Sequence, residues 1–159
     1  MDSTVSNLLD RAENEILLAS SLTKISDSTN EKLKSELDLP KDTTFFSGVI
    51  SHAYYSIFYS AKAYLLSRNM HFKSKQGEHS QVYHRFRALV IKGFVDIELL
   101  RIYDNVKVKA ETLLNILINE CEKRTKFTYE TLPQANKEPA EDSLKNAIEF
   151  LIHIRNMVM

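Results

Sequence analysis

The sequence predicts an all-α domain, an up-and-down bundle of four to five helices spanning residues 1–159. The chain has only three glycines and three prolines, and it is rich in the helix-forming residues leucine, alanine, glutamate and lysine. Its apolar residues recur every three or four positions in several long segments, which is the helical period. At 159 residues the chain fits one domain with an ordinary core.

The first helix is predicted in STVSNLLDRAENEILLASSL, where Val5, Leu9 and Ala12 share one face and Asp2 or Ser3 can cap the start. A polar break follows, and then the short amphipathic piece EKLKSELDL, which proline stops at residue 40. This piece is interpreted either as a minor helix or as a mobile arm.

The segment TTFFSGVISHAYYSIFYSAKAYLLSRN predicts a long, mostly buried helix that begins after Asp42 as its capping residue. One apolar stripe repeats every four residues, and its two alanines allow close approach of a neighbouring helix: Val49, Ala53, Ile57, Ala61 and Leu65. A second stripe carries hydrogen-bonding tips, on His52, Tyr55, Tyr59 and Lys62. We interpret this stripe as the edge of a groove or, alternatively, as buried tyrosines with internal partners.

The rest of the chain predicts three further helical segments. One runs from Glu78 to Lys92, with Gly93 suited to a left-handed C-cap, and the next is VDIELLRIYDNVKVKAETLLNILINECEKRTKF. The last is AEDSLKNAIEFLIHIRNMV, in which Ala147, Ile148 and Leu151 are expected near one face. The count expected for the whole chain is four principal helices and one minor helix.

Positive charge is concentrated locally in a chain that is neutral overall. Lysine plus arginine and aspartate plus glutamate both number 21, so the whole molecule has no general attraction for nucleic acid or anionic lipid. The stretch HFKSKQGEHSQVYHRFR nevertheless collects cations that only Glu78 opposes, together with three of the five histidines: Lys73, Lys75, Arg85, Arg87, His71, His79 and His84. A local anionic partner is one interpretation, and a solvated loop and helix face is the other.

Several classes of chemistry have no support in the sequence. It contains no GxGxxG, P-loop or GxSxG motif, and one cysteine without an HExxH pair gives no zinc site, so we expect no cofactor and no metal. The single cysteine, Cys121, cannot form an internal disulfide, and the start of the chain does not resemble a signal peptide, which predicts a cytoplasmic setting. No apolar run is long enough to span a bilayer, so no membrane partner is expected. A metal-independent ribonuclease remains feasible, since it needs only a proton acceptor, a proton donor and a cation.

Four stretches carry a resemblance to a known family: SHAYYSIFYSAKAYLLSRN, GEHSQVYHRF with KGFVD after it, RTKFTYE and AIEFL. Together they resemble the higher eukaryotes and prokaryotes nucleotide-binding (HEPN) family from about residue 45 onward. The resemblance implies a helical bundle, often a homodimer, with roles in toxin–antitoxin, defence or RNA-processing systems. Many relatives are ribonucleases, and others are inactive domains that bind a partner.

The resemblance also implies where a site would lie. Active relatives carry an arginine followed a few residues later by a histidine on a late helix. Here Arg124 matches the arginine, whereas Tyr129 stands where the histidine would be. His52 occupies a position where relatives often have arginine.

Two hypotheses about function follow, beside a third that the chain is a non-catalytic structural dimer. In the first, an RNA-directed domain uses Arg124 to stabilise phosphate charge and His79 or His84 for proton transfer. In the second, a non-catalytic domain binds a nucleotide, an RNA or a nucleotidyltransferase-like protein. Its predicted binding residues are His52, Tyr55, Tyr59, Lys73, Lys75, Arg85 and Tyr129.

Overall fold

A computed structural model describes residues 2–72, 77–122 and 137–158, with the side chains of 116–122 excepted. Within these ranges the chain forms helices and no strand, which confirms the predicted all-α bundle. The helices are α1 Ser3–Ser26, α2 Glu31–Glu36, α3 Phe46–Ser67, α4 Glu78–Ile91, α5 Ile97–Glu122 and α6 Lys137–Val158. The described part thus has five long helices and a short one, where four principal helices and one minor helix were expected.

The beginnings of α1 and α3 differ in how they are capped. The Asp2 carboxylate accepts a hydrogen bond from the Thr4 backbone N–H at 2.8 Å, as predicted. The prediction that Asp42 caps α3 is wrong, because Thr43 N–H bonds to the Pro40 carbonyl in a turn and the helix begins only at Phe46. Phe45 holds the N-cap position without a side-chain cap, so the first N–H groups of α3 lack a capping acceptor.

Left-handed glycines bound α4 on both sides. Gly77 has φ 64° immediately before the helix and Gly93 has φ 76° immediately after its C-cap. The Gly93 N–H bonds to the Val90 carbonyl and the Phe94 N–H to the Leu89 carbonyl, which closes the helix end as predicted. Because a side chain strains this conformation, glycine at residue 93 separates α4 from α5.

Helix α3 lies at the centre of the bundle and contacts α1, α4, α5 and α6. Its predicted apolar stripe is confirmed, because Val49, Ala53, Ile57, Ala61 and Leu65 are all fully buried. Helix α1 packs along α3 with small residues in the contact, and a Cβ built on Gly48 would lie 3.0 Å from Leu22 Cδ1. The close approach of α1 therefore depends on the small side chains of α3.

An aromatic cluster forms the main core around Phe86, which is fully buried. Its ring centroid lies 6.2 Å from that of Tyr64, 5.9 Å from Tyr103 and 5.5 Å from Phe150, so the cluster joins α3, α4, α5 and α6. A smaller core cluster joins α1, α3 and α6 at Ala19, Phe46, Val49, Ile50 and Ala140. These two clusters fix how the helices are arranged.

The buried face of α6 is only partly the predicted one. Ala147 and Leu151 are buried as expected, whereas Ile148 is 38% exposed and Phe150 and Ile154 are fully buried. The buried residues follow the steps of three and four that a helix requires, and Ile148 lies beside that stripe.

None of the helices in the described part of the chain is both long and apolar enough to cross a lipid bilayer.

Truncating the central ring is expected to destabilise the bundle. Phe86→Ala leaves a cavity among three aromatic rings and should lower the free energy of unfolding by about 3–5 kcal/mol. Phe94→Ala is the matched control, because Phe94 is 53% exposed, and it should cost less than about 1 kcal/mol. Urea unfolding followed by circular dichroism measures both, and equal losses would contradict the assigned core.

Candidate functional site

Four rings form a surface cluster that we call the tyrosine–histidine face: Tyr54, Tyr55 and Tyr59 of α3 and His79 of α4. Tyr55 lies at its centre, with its ring centroid 6.3 Å from the nearly parallel ring of Tyr59 and 5.7 Å from the His79 ring, which it meets edge-on. Tyr54 lies 5.6 Å from His79 in a stacked arrangement. The face is therefore a row of contacting rings and not four separate side chains.

The face rests on Phe58, which is 2% exposed and belongs to the main core. The His79 imidazole stacks on the Phe58 ring at 3.9 Å with an interplanar angle of 12°. Tyr54 and Phe58 are four residues apart on α3, so both reach the same side of the helix. The core thus holds one side of the imidazole in place.

An ion pair fixes the start of α4 against α3. Lys62 Nζ lies 2.7 Å from Glu78 Oε1, and both side chains are less than a quarter exposed. Glu78 and His79 are the first two residues of α4, directly after the left-handed Gly77. The turn and the ion pair together place His79 in the first turn beside the α3 tyrosines.

His79 and Tyr54 form a neutral hydrogen-bonded pair. Tyr54 Oη lies 3.0 Å from His79 Nδ1. Burial lowers the pKa of His79, with the nearby Lys62 charge adding to the effect and Glu78 opposing it. Burial also raises the pKa of Tyr54 to about 12. At neutral pH the imidazole is therefore largely uncharged and the phenol keeps its proton.

Cations border the face on two sides. The Arg11 guanidinium of α1 lies 4.6 Å from the Tyr59 ring centroid and has no ion pair with any described residue. On the other side Lys62 lies 5.9 Å from the Phe72 ring and Arg85 lies 4.9 Å from it. Arg85 Nη1 also donates to the His71 carbonyl at 2.9 Å. These cation–π contacts hold positive charge beside aromatic surface.

His52 lies at the base of the predicted stripe and is engaged within the bundle. Its Nδ1 is 2.6 Å from Glu15 Oε2, and both side chains are partly buried between α3 and α1. The described contacts thus give His52 a role in joining the two helices. Its position one turn before Tyr55 follows from the helical period.

The structure brings together some of the predicted site residues and separates others. Tyr55, Tyr59 and His79 meet in one face, and Arg85 is linked to it through Phe72 and Lys62. His84 is exposed and contacts the Tyr83 ring at 5.3 Å, and among the described residues it shares no ring or hydrogen-bond partner with His79. The remaining predicted residues lie outside the described part of the chain: Lys73, Lys75, Arg124 and Tyr129.

Sequence reasoning missed Tyr54, Phe58 and Arg11 as members of the site. The spacing of Tyr54 and Phe58 was visible, but the helical period alone cannot show that α4 brings a histidine onto them. Arg11 comes from another helix, and nothing in the local sequence indicates its partner ring. In the described ranges no three histidine, cysteine, aspartate or glutamate side chains are placed to hold a metal ion.

Comparison of the chain with protein-family models, with curated proteins and with solved structures found no match in any of the three. The resemblance to the HEPN family therefore stays a prediction from short motifs.

The contact between His79 and Phe58 predicts a measurable titration. By NMR, the pKa of His79 should lie below the ordinary value of 6.5, and Phe58→Leu should move it toward that value because the stacked ring is lost. Since folding favours the neutral imidazole, its contribution to stability is present above the unfolded pKa and is lost as the pH falls through the folded pKa.

Phe94→Leu is the matched control for this titration, because Phe94 contacts Arg68 and not His79. It should leave the His79 midpoint unchanged. A wild-type midpoint at or above 6.5 would contradict the stacked, partly desolvated imidazole.

Proposed function

We propose that this protein binds single-stranded RNA through the tyrosine–histidine face. The observation that carries the proposal is Tyr55: the residue is 39% exposed, yet its ring is flanked by the rings of Tyr59 and His79. Exposed aromatic rings in a row, bordered by cations, are typical of surfaces on which unpaired bases stack.

The arrangement of charge supports an RNA in preference to an apolar protein segment. Arg11 covers Tyr59 without an ion pair among the described residues, so its charge is free to meet a phosphate. Arg85 is held beside Phe72 by a carbonyl and a ring, neither of which neutralises it. Phosphates following a row of stacked bases would meet these cations on either side.

The neutral state of the rings supports stacking as the main source of affinity. His79 is largely uncharged at neutral pH, and the chain has equal numbers of acidic and basic residues. Binding that depends mainly on stacking should respond less to salt than binding through many phosphate contacts. We therefore place the recognition of bases on the rings and the positioning of phosphates on the flanking arginines.

The resemblance to the HEPN family supplies a biological setting for this proposal. It supports a homodimer in a toxin–antitoxin, defence or RNA-processing system, and the single cysteine supports a cytoplasmic setting. The same resemblance supports two alternative ligands, a nucleotide and a nucleotidyltransferase-like protein. A row of neighbouring rings favours an RNA over a single nucleotide, because more than one base can stack along it.

A metal-independent ribonuclease is a second candidate function, and the Tyr54–His79 pair favours it. If the protonated Nδ1 donates to Tyr54 Oη, Nε2 is left as a proton acceptor, and the lowered pKa keeps that acceptor available at neutral pH. Arg124, the predicted charge-stabilising residue, lies outside the described part of the chain. Proton transfer is therefore assigned in this proposal to His79, and His84 is left without a role in the face.

Truncating Tyr55 should weaken RNA binding. The loss of one stacking ring is worth about 1–3 kcal/mol, so Tyr55→Ala should raise the Kd for a fluorescent single-stranded oligonucleotide by about 5- to 150-fold. Fluorescence anisotropy at fixed salt measures the change. Tyr55→Phe keeps the ring and should bind like the wild type, and Phe94→Ala removes an exposed ring outside the face.

The outcomes of this experiment separate the candidate functions. Equal affinity of wild type and Tyr55→Ala would contradict RNA binding at this face. Analysis of RNA length in the same samples, without metal, tests the ribonuclease: cleavage that His79→Ala abolishes while the oligonucleotide still binds would support it. Intact RNA in the wild-type sample would show that the protein does not cleave the RNA that it binds.

A further inference from the structure

A cationic cavity of about 360 Å³ lies where the chain enters α3. It is separate from the tyrosine–histidine face, which lies further along that helix. It is bounded by the end of α1, the short helix α2, the segment that leads into α3, and the start of α6. Its lining residues are Ser26, Ser28, Lys34, Lys41, Asp42, Thr44, Phe46 and Lys137. None of these residues belongs to the tyrosine–histidine face.

Lys34 is the most unusual residue of this cavity, because it is 1% exposed. Its ammonium donates to the Lys41 carbonyl at 2.8 Å. No carboxylate of the described residues lies within ion-pair distance of it. A buried ammonium has three N–H donors and is costly to bury without a counter-charge. The described residues thus leave Lys34 with donors and charge that an anion would satisfy.

The other charged side chains of the cavity are also mainly positive. Three lysines line it against the single carboxylate of Asp42. Lys41 pairs with Glu31 at 3.1 Å and Lys137 meets Glu141 at 3.9 Å, but both of these pairs are largely exposed. Exposed pairs exchange readily with water and other anions, so both lysines remain able to turn toward a ligand.

Backbone and hydroxyl groups add to the positive character of the cavity. Phe46 is the first residue of α3, so the positive end of this 22-residue helix lies at the cavity. The start of α3 has no side-chain cap. Thr44 Oγ1 is buried without a hydrogen-bond partner among the described residues. These groups add hydrogen-bond donors to the cavity that Lys34 lines.

Asp27 is a carboxylate outside the lining that the cavity lysines influence, and it is already engaged. Asp27 Oδ1 accepts hydrogen bonds from the Thr29 backbone N–H at 2.8 Å and from the Thr29 hydroxyl at 2.7 Å. Those bonds lower the pKa of Asp27 most, and the charges of Lys137 and Lys34 lower it further. The charges of the cavity lysines therefore act on Asp27, while the Asp27 carboxylate itself stays hydrogen-bonded to Thr29.

We propose that this cavity is a binding site for a phosphate group, either free phosphate or the phosphate of a small phosphomonoester. A phosphate offers several acceptor oxygens and up to two negative charges, which suit an ammonium, a hydroxyl and the N–H groups at the start of α3. Lys34 is the central ligand, and Thr44 and Lys137 complete the contacts. The volume of about 360 Å³ suits a small molecule better than a nucleic-acid strand.

Isothermal titration calorimetry with inorganic phosphate and with AMP, at constant ionic strength, tests this site. Wild type should bind one or both probes saturably, and the tighter probe distinguishes free phosphate from a phosphomonoester. Lys34→Met removes the charge, keeps most of the volume, and should raise the Kd at least about ten-fold. Lys32→Met is the matched control on the same helix, because the Lys32 side chain is 92% exposed.

A second variant keeps the test independent of the folding of Lys34→Met. Thr44→Val removes a hydroxyl that has no described partner, so its melting temperature should not fall, while its Kd for phosphate should rise several-fold. Absence of saturable binding of either probe to wild type would overturn the proposal. Equal affinities of wild type, Lys34→Met and Thr44→Val would overturn it as well.

Discussion

The close packing of helices around α3 sets the arrangement of the whole bundle. Four other helices contact α3, and its small residues, including Gly48 and Ala53, bring α1 close. With most of its circumference covered, α3 has one stripe left at which polar and aromatic side chains reach the surface. Tyr55 and Tyr59 lie on that stripe, so the architecture of the bundle determines where a binding surface can form.

The two proposed sites lie at different parts of α3, one along its middle and one at its beginning. Along its middle, α3 presents rings that α4 completes with His79, and the Lys62–Glu78 ion pair keeps the two helices in register. At its beginning, α3 lacks a side-chain cap, and the chain leading into it packs against the buried Lys34. The first site offers a row of rings bordered by arginines. The second offers lysines around a partly open cavity, which is why the two suit different ligands.

The sequence predicted the helices better than their contacts. Local signals were sufficient to predict the left-handed C-cap at Gly93, which depends on backbone conformation. They were also sufficient to predict the buried stripe of α3, which depends on the helical period. They failed at Asp42, where a turn made by Pro40 competes with the cap, and at Ile148, which lies beside the buried stripe of α6. In the site, Tyr55, Tyr59 and His79 could be predicted as candidates. Their contacts with Arg11 and Phe58, and the burial of Lys34, depend on packing between distant segments, which local periodicity does not encode.

The proposed RNA binding requires that unpaired bases contact the tyrosine–histidine face. Aromatic proton–carbon NMR spectra, recorded while a short single-stranded RNA is titrated into the protein, test this contact at the level of single rings. If RNA binds at this face, the Tyr55, Tyr59 and His79 signals should shift saturably, and the Phe94 signals should not shift. RNA binding that leaves these three signals unchanged, or no binding in the titration, would contradict the proposal.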